Sequence, residues 1–208
     1  MNIGIIGSGH IGGTLTEKLA AAGHNVGVAN AHGPRSLEER AERLGERVCA
    51  MEVDEAARYG ELVIVSIPFG SYRTVPAEPL AGKIVVDTEN YYPQRDGNFA
   101  ELDDDRTTSS ELLQRHVPEA GVVKAFNAIR WDTLAREGRP RGAGDRLAIP
   151  LAGDDVEAKR VVSGLIDDTG FDAVDVGDLA HGGRRIQPGS SLYVVRLTAS
   201  QMSDRLAA

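Results

Sequence analysis

Cysteine is nearly absent. Cys49 is the only one in 208 residues, so no internal disulfide can form and no second thiol is present to build a zinc or redox motif. Its expected place is inside, as a small apolar side chain. Lysine is scarce, with four in the chain, and aromatics make up 5%. No apolar stretch approaches the roughly 18 to 20 residues that cross a bilayer. The N-terminus enters an apolar strand without a basic leader, so neither a membrane span nor a secretory signal is supported and a cytoplasmic protein is expected. A basic excess is also missing. Lys and Arg number 23 against 31 acids, a net charge of −8, which gives no general attraction to nucleic acid or an anionic membrane. Any anionic ligand must be held by local features. What is present is 41% hydrophobic residues in short runs separated by turn residues, which excludes wholesale disorder.

The apolar runs are Ile3 to Ile6, Val26 to Ala29, Leu62 to Ile67, Ile84 to Val86, Val122 to Phe126 and Leu147 to Ala152. Continuous Val/Ile runs fit strands buried on both faces. Between them lie helical spacings such as Ile11, Leu15, Leu19 and Ala22, stopped by Gly23. Capping patterns agree: Ser36 with Glu39 before Leu37 to Leu44 and Gly45, Asp54 before a helix ending at Gly60, and Asp154 with Glu157 before one ending at Gly170. The alternation predicts βαβ units around a parallel sheet. The stretch from Asp87 to Ser110 has no clear period and is expected to be a long loop that covers a site or moves. Glycines and a proline between Arg136 and Asp145 mark an exposed connection, dividing the chain into residues 1–136 and a small extension, 137–208, packed on it.

The strongest chemical signal is Gly7-Ser8-Gly9-His10-Ile11-Gly12, which follows the first strand directly and runs into the first helix. In such a turn Gly7 permits the tight bend, Gly9 lets the backbone approach a pyrophosphate, and Gly12 lets helix pack closely on strand. The helix N-terminus then offers free N–H groups to the anion. A dinucleotide site follows. The place after the second strand where an NAD site carries a carboxylate for the ribose is taken by Asn30, followed by Ala31, His32, Gly33, Pro34 and Arg35. A missing carboxylate and two potential cations, His32 and Arg35, favour the 2′-phosphate of NADP(H), the alternative being that both are solvated loop residues.

Ser66, Ile67 and Pro68 end a strand on the rim where doubly wound sheets bind ligands. Phe69 and Tyr72 either flank a flat ring or simply pack. Two more loops, Asp87 to Tyr92 and Lys124 to Asn127, leave strands on the same rim and are expected to converge on one pocket. Lys124 interrupts an apolar run, so it either pairs with Asp87 or contacts a ligand. Asp103-Asp104-Asp105 is a solvated acidic turn, and the histidines at 10, 24, 32, 116 and 181 show no zinc spacing. Ser190-Ser191 lacks the setting of a hydrolase nucleophile.

Gly7 to Gly12 at the start, Ser66-Ile67-Pro68 after the fourth strand, Val122 to Asn127 after the sixth, and Ala152-Gly153-Asp154-Asp155 near the end make this sequence resemble the NADPH-dependent coenzyme F420 reductase family over nearly its whole length. The same fold resembles the nucleotide-binding domain of ferric-reducing membrane proteins. The resemblance implies hydride transfer between NADP(H) and a 5-deazaflavin. It also implies that Ser8, His10 and Ile11 lie along the pyrophosphate, that Ile67 and Pro68 border the nicotinamide, and that Asn127 approaches the acceptor side. Relatives commonly carry Ser and Arg where this chain has Ala31 and His32, which leaves Arg35 to compensate. The chain also ends too soon for the large helical substrate domain of imine and 2-hydroxyacid reductases of related fold.

The expected fold is a Rossmann-like, doubly wound, mostly parallel sheet with a small C-terminal α/β extension. The expected function is an NADP(H)-dependent oxidoreductase with coenzyme F420 or a flavin-like ring as co-substrate. The rivals are a reductase of a small imine, ketone or metal chelate, and a non-catalytic NADP(H) sensor. No catalytic side chain and no metal are expected. The partner is a small-molecule acceptor, with no nucleic acid and no membrane, and a homodimer is left open.

Overall fold

Continuous apolar runs build the sheet, because alternate residues face opposite sides of a strand and both sides are covered here. In the computed structural model, which describes residues 1–207, β1 (Asn2–Ile6), α1 (His10–Ala21), β2 (Asn25–Ala29), α2 (Glu38–Leu44), β3 (Val48–Ala50), α3 (Val53–Tyr59) and β4 (Leu62–Val65) make the first half. They are followed by β5 (Ile84–Asp87), α4 (Pro93–Asp96), α5 (Ala100–Asp103), α6 (Ser109–His116), β6 (Gly121–Lys124) and α7 (Trp131–Arg136). The chain then runs through β7 (Ala148–Gly153), α8 (Val156–Asp168), β8 (Asp172–Asp175), α9 (His181–Ile186) and α10 (Ala199–Ala207).

The strands form one eight-stranded sheet in the order β3-β2-β1-β4-β5-β6-β7-β8. Every neighbouring pair is parallel except β6 with β7. The polypeptide beyond residue 136 therefore contributes β7 and β8 to the same sheet. Ile64, Val86 and Val123 face the layer of α1 and α8, packing with Leu15, Leu19, Val162 and Leu165. Their neighbours Val63, Val65, Val85 and Val122 face the opposite layer, with Phe69, Leu112 and Leu113. The order in which strands are added reverses between β1 and β4, with β2 and β3 laid down on one side and β5 to β8 on the other, which leaves a crevice above their C-terminal ends. No helix among the described residues is long and apolar enough to cross a membrane.

Local expectations differ from the structure in several places. Cys49 is exposed, because β3 is a three-residue edge strand that turns Val48 inward and leaves the thiol outside. Apolar runs alone miss β3 and β8, since edge strands need only one covered face. The Ser36 and Glu39 box does not form. A turn of 3₁₀ helix, Pro34–Ser36, comes first, Leu37 becomes the N-cap, and the Ser36 hydroxyl donates to the Gly33 carbonyl at 2.7 Å. The third helix is capped by Glu52 with Glu55, while Asp54 pairs with Arg58. Asp155, one residue beyond the expected Asp154, caps α8, and Asp154 accepts from the Leu179 amide.

The stretch after β5 is no open loop. Its short helices α4 and α5 bring Tyr91 and Phe99 against Phe69, which itself stacks on Tyr72 at 4.9 Å. Phe69 and Tyr72 are thus buried packing residues that line neither of the clefts described below. The acidic turn is spent on neighbours: Asp103 accepts from the Tyr91 hydroxyl, Asp104 pairs with Arg106, and Asp105 with Arg184.

Candidate active site

Each glycine of the first turn has its own geometric reason. Gly7 sits at φ 110°, in the left-handed region, and a Cβ there would stand 2.1 Å from the Ser66 carbonyl oxygen. A Cβ on Gly12 would stand 2.0 Å from the Gly7 carbonyl oxygen, so the first turn of α1 can lie against β1 only because that atom is missing. Gly9 differs: a Cβ there would have no heavy atom within 4 Å, and would project into open space. Gly9 is also the N-cap of α1 and offers no side chain to the first-turn amides. An α1 N-terminus with uncapped N–H groups beside an open approach suits a phosphate.

That open space belongs to a cleft of about 670 Å³ lined by Ile6, Gly7, Ser8, Gly9, Asn30, His32, Ser66, Ile67 and Pro68, among others. A second cleft of about 260 Å³ shares Gly9, Ser66, Ile67 and Pro68 with it and continues over His10, Ile11, Thr88, Glu89, Asn90, Tyr92 and Arg95. Together they run along the glycine turn across the crevice between β1 and β4. Two adjoining clefts on either side of an uncapped helix end fit an extended dinucleotide.

Asn30 braces this groove. Its amide nitrogen donates to the Ser8 hydroxyl at 3.1 Å and to the Ser36 hydroxyl at 3.0 Å, and its carbonyl accepts from the His32 amide at 2.8 Å. His32 lines the larger cleft. Arg35 lies outside the lining, exposed, with no hydrogen bond or ion pair among the described residues. The cation that touches the glycine turn is Arg40, from α2, whose Nη1 lies 3.4 Å from the Ser8 carbonyl while Nη2 pairs with Glu17 at 2.8 Å. Its spacing in α2 carried no signal that set it apart from its neighbour Arg43.

Beneath the smaller cleft lies a buried charge cluster. Lys124 is 1% exposed, and its ammonium donates to Asp87 Oδ2 at 3.3 Å, the Glu89 carbonyl at 3.0 Å, Ser109 Oγ at 3.2 Å and Ser110 Oγ at 2.9 Å. Asp87 also takes the Ser110 hydroxyl at 2.5 Å and the Glu89 amide at 2.8 Å. The expected Lys124 to Asp87 pair is present, and the lysine's donors are used within the protein. The Asp87 to Tyr92 loop reaches the smaller cleft as expected, but the burial of its Glu89 was not foreseen: Glu89 is 2% exposed with neither carboxyl oxygen hydrogen-bonded. One ammonium faces two carboxyls here. Burial, then the neighbouring Asp87 charge, pushes the Glu89 carboxyl well above its usual range.

A raised folded-state value fixes the sign of a pH effect. Above the ordinary Glu value of about 4.3 the unfolded chain gives up this proton while the folded chain keeps it, so stability falls as pH rises. Glu89→Gln is expected to remove that component, worth at most about 1.4 kcal/mol per pH unit, and to become more favourable relative to wild type toward neutral pH. Denaturant unfolding of both proteins at mildly acidic and neutral pH checks this. Parallel pH profiles would contradict it.

The loop after β6 does not join the clefts as expected. Phe126 is held at φ 61°, an uncommon conformation for a bulky residue, and turns the chain back beneath the rim. Asn127 is 3% exposed, and its amide nitrogen donates to Asn90 Oδ1 at 3.1 Å and the Ile186 carbonyl at 2.7 Å. Asn90 returns a bond to the Asn127 carbonyl at 2.9 Å. Asn127 therefore ties the β5 loop to the β6 loop and to α9 and lines neither cleft. In its place stand Tyr92 and Arg95, whose guanidinium carbon is 5.0 Å from the Tyr92 ring centroid. The Tyr92 hydroxyl meets that of Tyr193 at 2.5 Å, which brings the C-terminal part to the rim.

Comparison with known proteins agrees with this geometry. A family model described as NADP oxidoreductase, coenzyme F420-dependent, matches residues 2–91. A hypothetical protein from Sinorhizobium meliloti superposes with a TM-score of 0.83 at 33% identity, over 95% of each chain. A candidate F420-dependent NADP-reductase from Arthrobacter sp. FB24 superposes with a TM-score of 0.72 at 31% identity, over 88% of each chain. Metalloreductase STEAP3 of Rattus norvegicus is 32% identical over 180 residues, which are 86% of this chain and 34% of that protein. The chain thus spans about a third of that curated relative. The glycine turn lies within the matched region, and the sheet superposes on that of proteins of nearly equal length, so the chain belongs to the coenzyme F420-dependent NADP oxidoreductase family.

Proposed function

We propose that this protein transfers hydride between NADP(H) and a deazaflavin, coenzyme F420, or a closely similar flavin-like ring. The observation that carries the reading is the pair of adjoining clefts that share Gly9, Ser66, Ile67 and Pro68, one reaching Asn30 and His32 and the other Asn90 and Tyr92. NADPH supplies the hydride. The chain's own residues bind, orient and exclude water. The α1 amides and the missing side chain at Gly9 hold the pyrophosphate, with the main chain of Ser8, His10 and Ile11 beside it. Ile67 and Pro68 wall the nicotinamide end, and Pro68 brings no N–H that would need a partner there. His32, which lines the larger cleft, serves the 2′-phosphate, and Arg35, exposed outside the lining with a guanidinium uncommitted among the described residues, swings in to join it.

A panel tests the acceptor: purified protein and NADPH with coenzyme F420, flavin mononucleotide, a small cyclic imine, an aliphatic ketone or a ferric chelate, following NADPH absorbance. Fastest turnover with F420 supports the reading. Turnover confined to the imine, ketone or chelate overturns the acceptor, and NADPH binding with no turnover leaves a sensor. For the cofactor, NADPH should bind more tightly than NADH, and Arg35→Ala should narrow the gap by about 1.5 to 3 kcal/mol, the worth of a hydrogen bond to a charged group. Equal NADPH and NADH affinities in the wild type, measured by calorimetry, would contradict the assignment of His32 and Arg35.

A further inference from the structure

The chain has one tryptophan, and it stands at the surface. Trp131 opens α7 and is 41% exposed, an uncommon position for so large an apolar side chain. Its indole stacks on the imidazole of His10, with centroids 4.7 Å apart and planes 18° from parallel. Anchoring α7 does not need this ring, since Thr133 and Leu134 are the residues that the helix buries. His10 is the first residue of α1 and lines the smaller cleft, where Tyr92 and Arg95 supply further flat surfaces. Aromatic faces attract other flat conjugated systems beyond the area they bury, whereas a small aliphatic carbonyl compound gains little from them.

We propose that Trp131 is a positioning residue that acts through His10, fixing the imidazole as a stacking wall at the acceptor end and so selecting planar conjugated acceptors over small aliphatic ketones and imines. This rests on the NADP(H) groove described above and adds the residue that sets the acceptor class. The indole holds the ring plane of His10, and the plane presented to the cleft is then fixed before any acceptor arrives. Such pre-organisation lowers the ordering cost of binding a ring.

Calorimetric titration of the NADP⁺-loaded protein with flavin mononucleotide and with coenzyme F420 tests it, using Trp131→Ala and Trp131→Phe. Trp131→Ala is expected to weaken ring binding about tenfold, the upper range for one aromatic pair, and Trp131→Phe to restore it to within about threefold. NADPH affinity should stay within about twofold in both variants. In turnover the KM for the ring acceptor rises more than kcat falls. Unchanged ring affinity in Trp131→Ala overturns the proposal. So does a parallel loss of NADPH affinity, which would make the stack a support of the cofactor groove, or an aliphatic ketone that binds the wild type more tightly than either ring. Failure of NADPH to bind sinks the cofactor reading alone, because the ring titrations repeated without NADP⁺ still report on Trp131.

Discussion

Gly9→Val is expected to weaken NADPH binding by more than roughly 100-fold while leaving the melting transition almost unmoved. A side chain at Gly9 would stand where the pyrophosphate must approach the α1 amides, and losing two hydrogen bonds to a charged group at about 1.5 to 3 kcal/mol each gives a factor of that size. The fold does not object. Gly9 has φ −66° and ψ −162°, open to any L-residue, and no heavy atom within 4 Å of its would-be Cβ. Gly12→Val supplies the contrast, because its Cβ would collide with the Gly7 carbonyl. Overpacking at that joint should cost about 1 to 3 kcal/mol or more and lower the melting temperature. Binding calorimetry and thermal melts on the two variants separate ligand approach from packing. Unfolding of Gly9→Val, or undiminished NADPH affinity, would contradict the assigned role of the open face.

Lys124→Met is expected to destabilise the protein by about 3 to 5 kcal/mol, since it leaves Asp87 buried without its ammonium partner. Ser110 and the Glu89 amide would still donate to that carboxylate, but neither carries charge. The double variant Asp87→Asn with Lys124→Met should recover much of the loss, because removing both charges also removes their desolvation cost. Denaturant unfolding of the two single variants and the double variant measures the coupling. A single variant within about 1 kcal/mol of wild type would mean that the pair is not what holds the β5 and β6 ends together.

What could be foreseen from the chain was whatever depends on neighbours in sequence. The glycine turn is six consecutive residues after an apolar run, and its three glycines have the spacing that a strand, turn and helix impose. The six long apolar runs became strands for the same reason. Edge strands escaped because half of each faces solvent, so Cys49 on β3 could look like a buried residue while pointing outward. Helix starts shifted where tertiary structure chose the cap. The fixed φ of Pro34 initiated a 3₁₀ turn that displaced Ser36, and Glu52 with Glu55 formed a box that the pattern of Ser, Thr, Asp and Asn caps does not suggest.

The site was legible in its strand-adjacent parts and obscure elsewhere. Ser66 to Pro68 could be placed because they follow β4 directly. Glu89, Tyr92 and Arg95 acquire meaning only when α4 and α5 fold the following stretch back over the rim. Asn127 could not be seen as a brace without Asn90 and Ile186, which are 37 and 59 residues away. Nor does anything local mark Tyr193 as the partner of Tyr92 across 101 residues.

The most direct test of hydride transfer to a deazaflavin uses NADPH carrying deuterium at the transferable position, mixed in a single turnover with coenzyme F420, and mass spectrometry of the reduced ring. The account predicts that the ring gains the deuterium at its reacting carbon, where it does not exchange with water, and that the chemical step slows with the label. NADPH bound but not oxidised by F420, or a reduced ring whose new hydrogen comes from solvent, would contradict it.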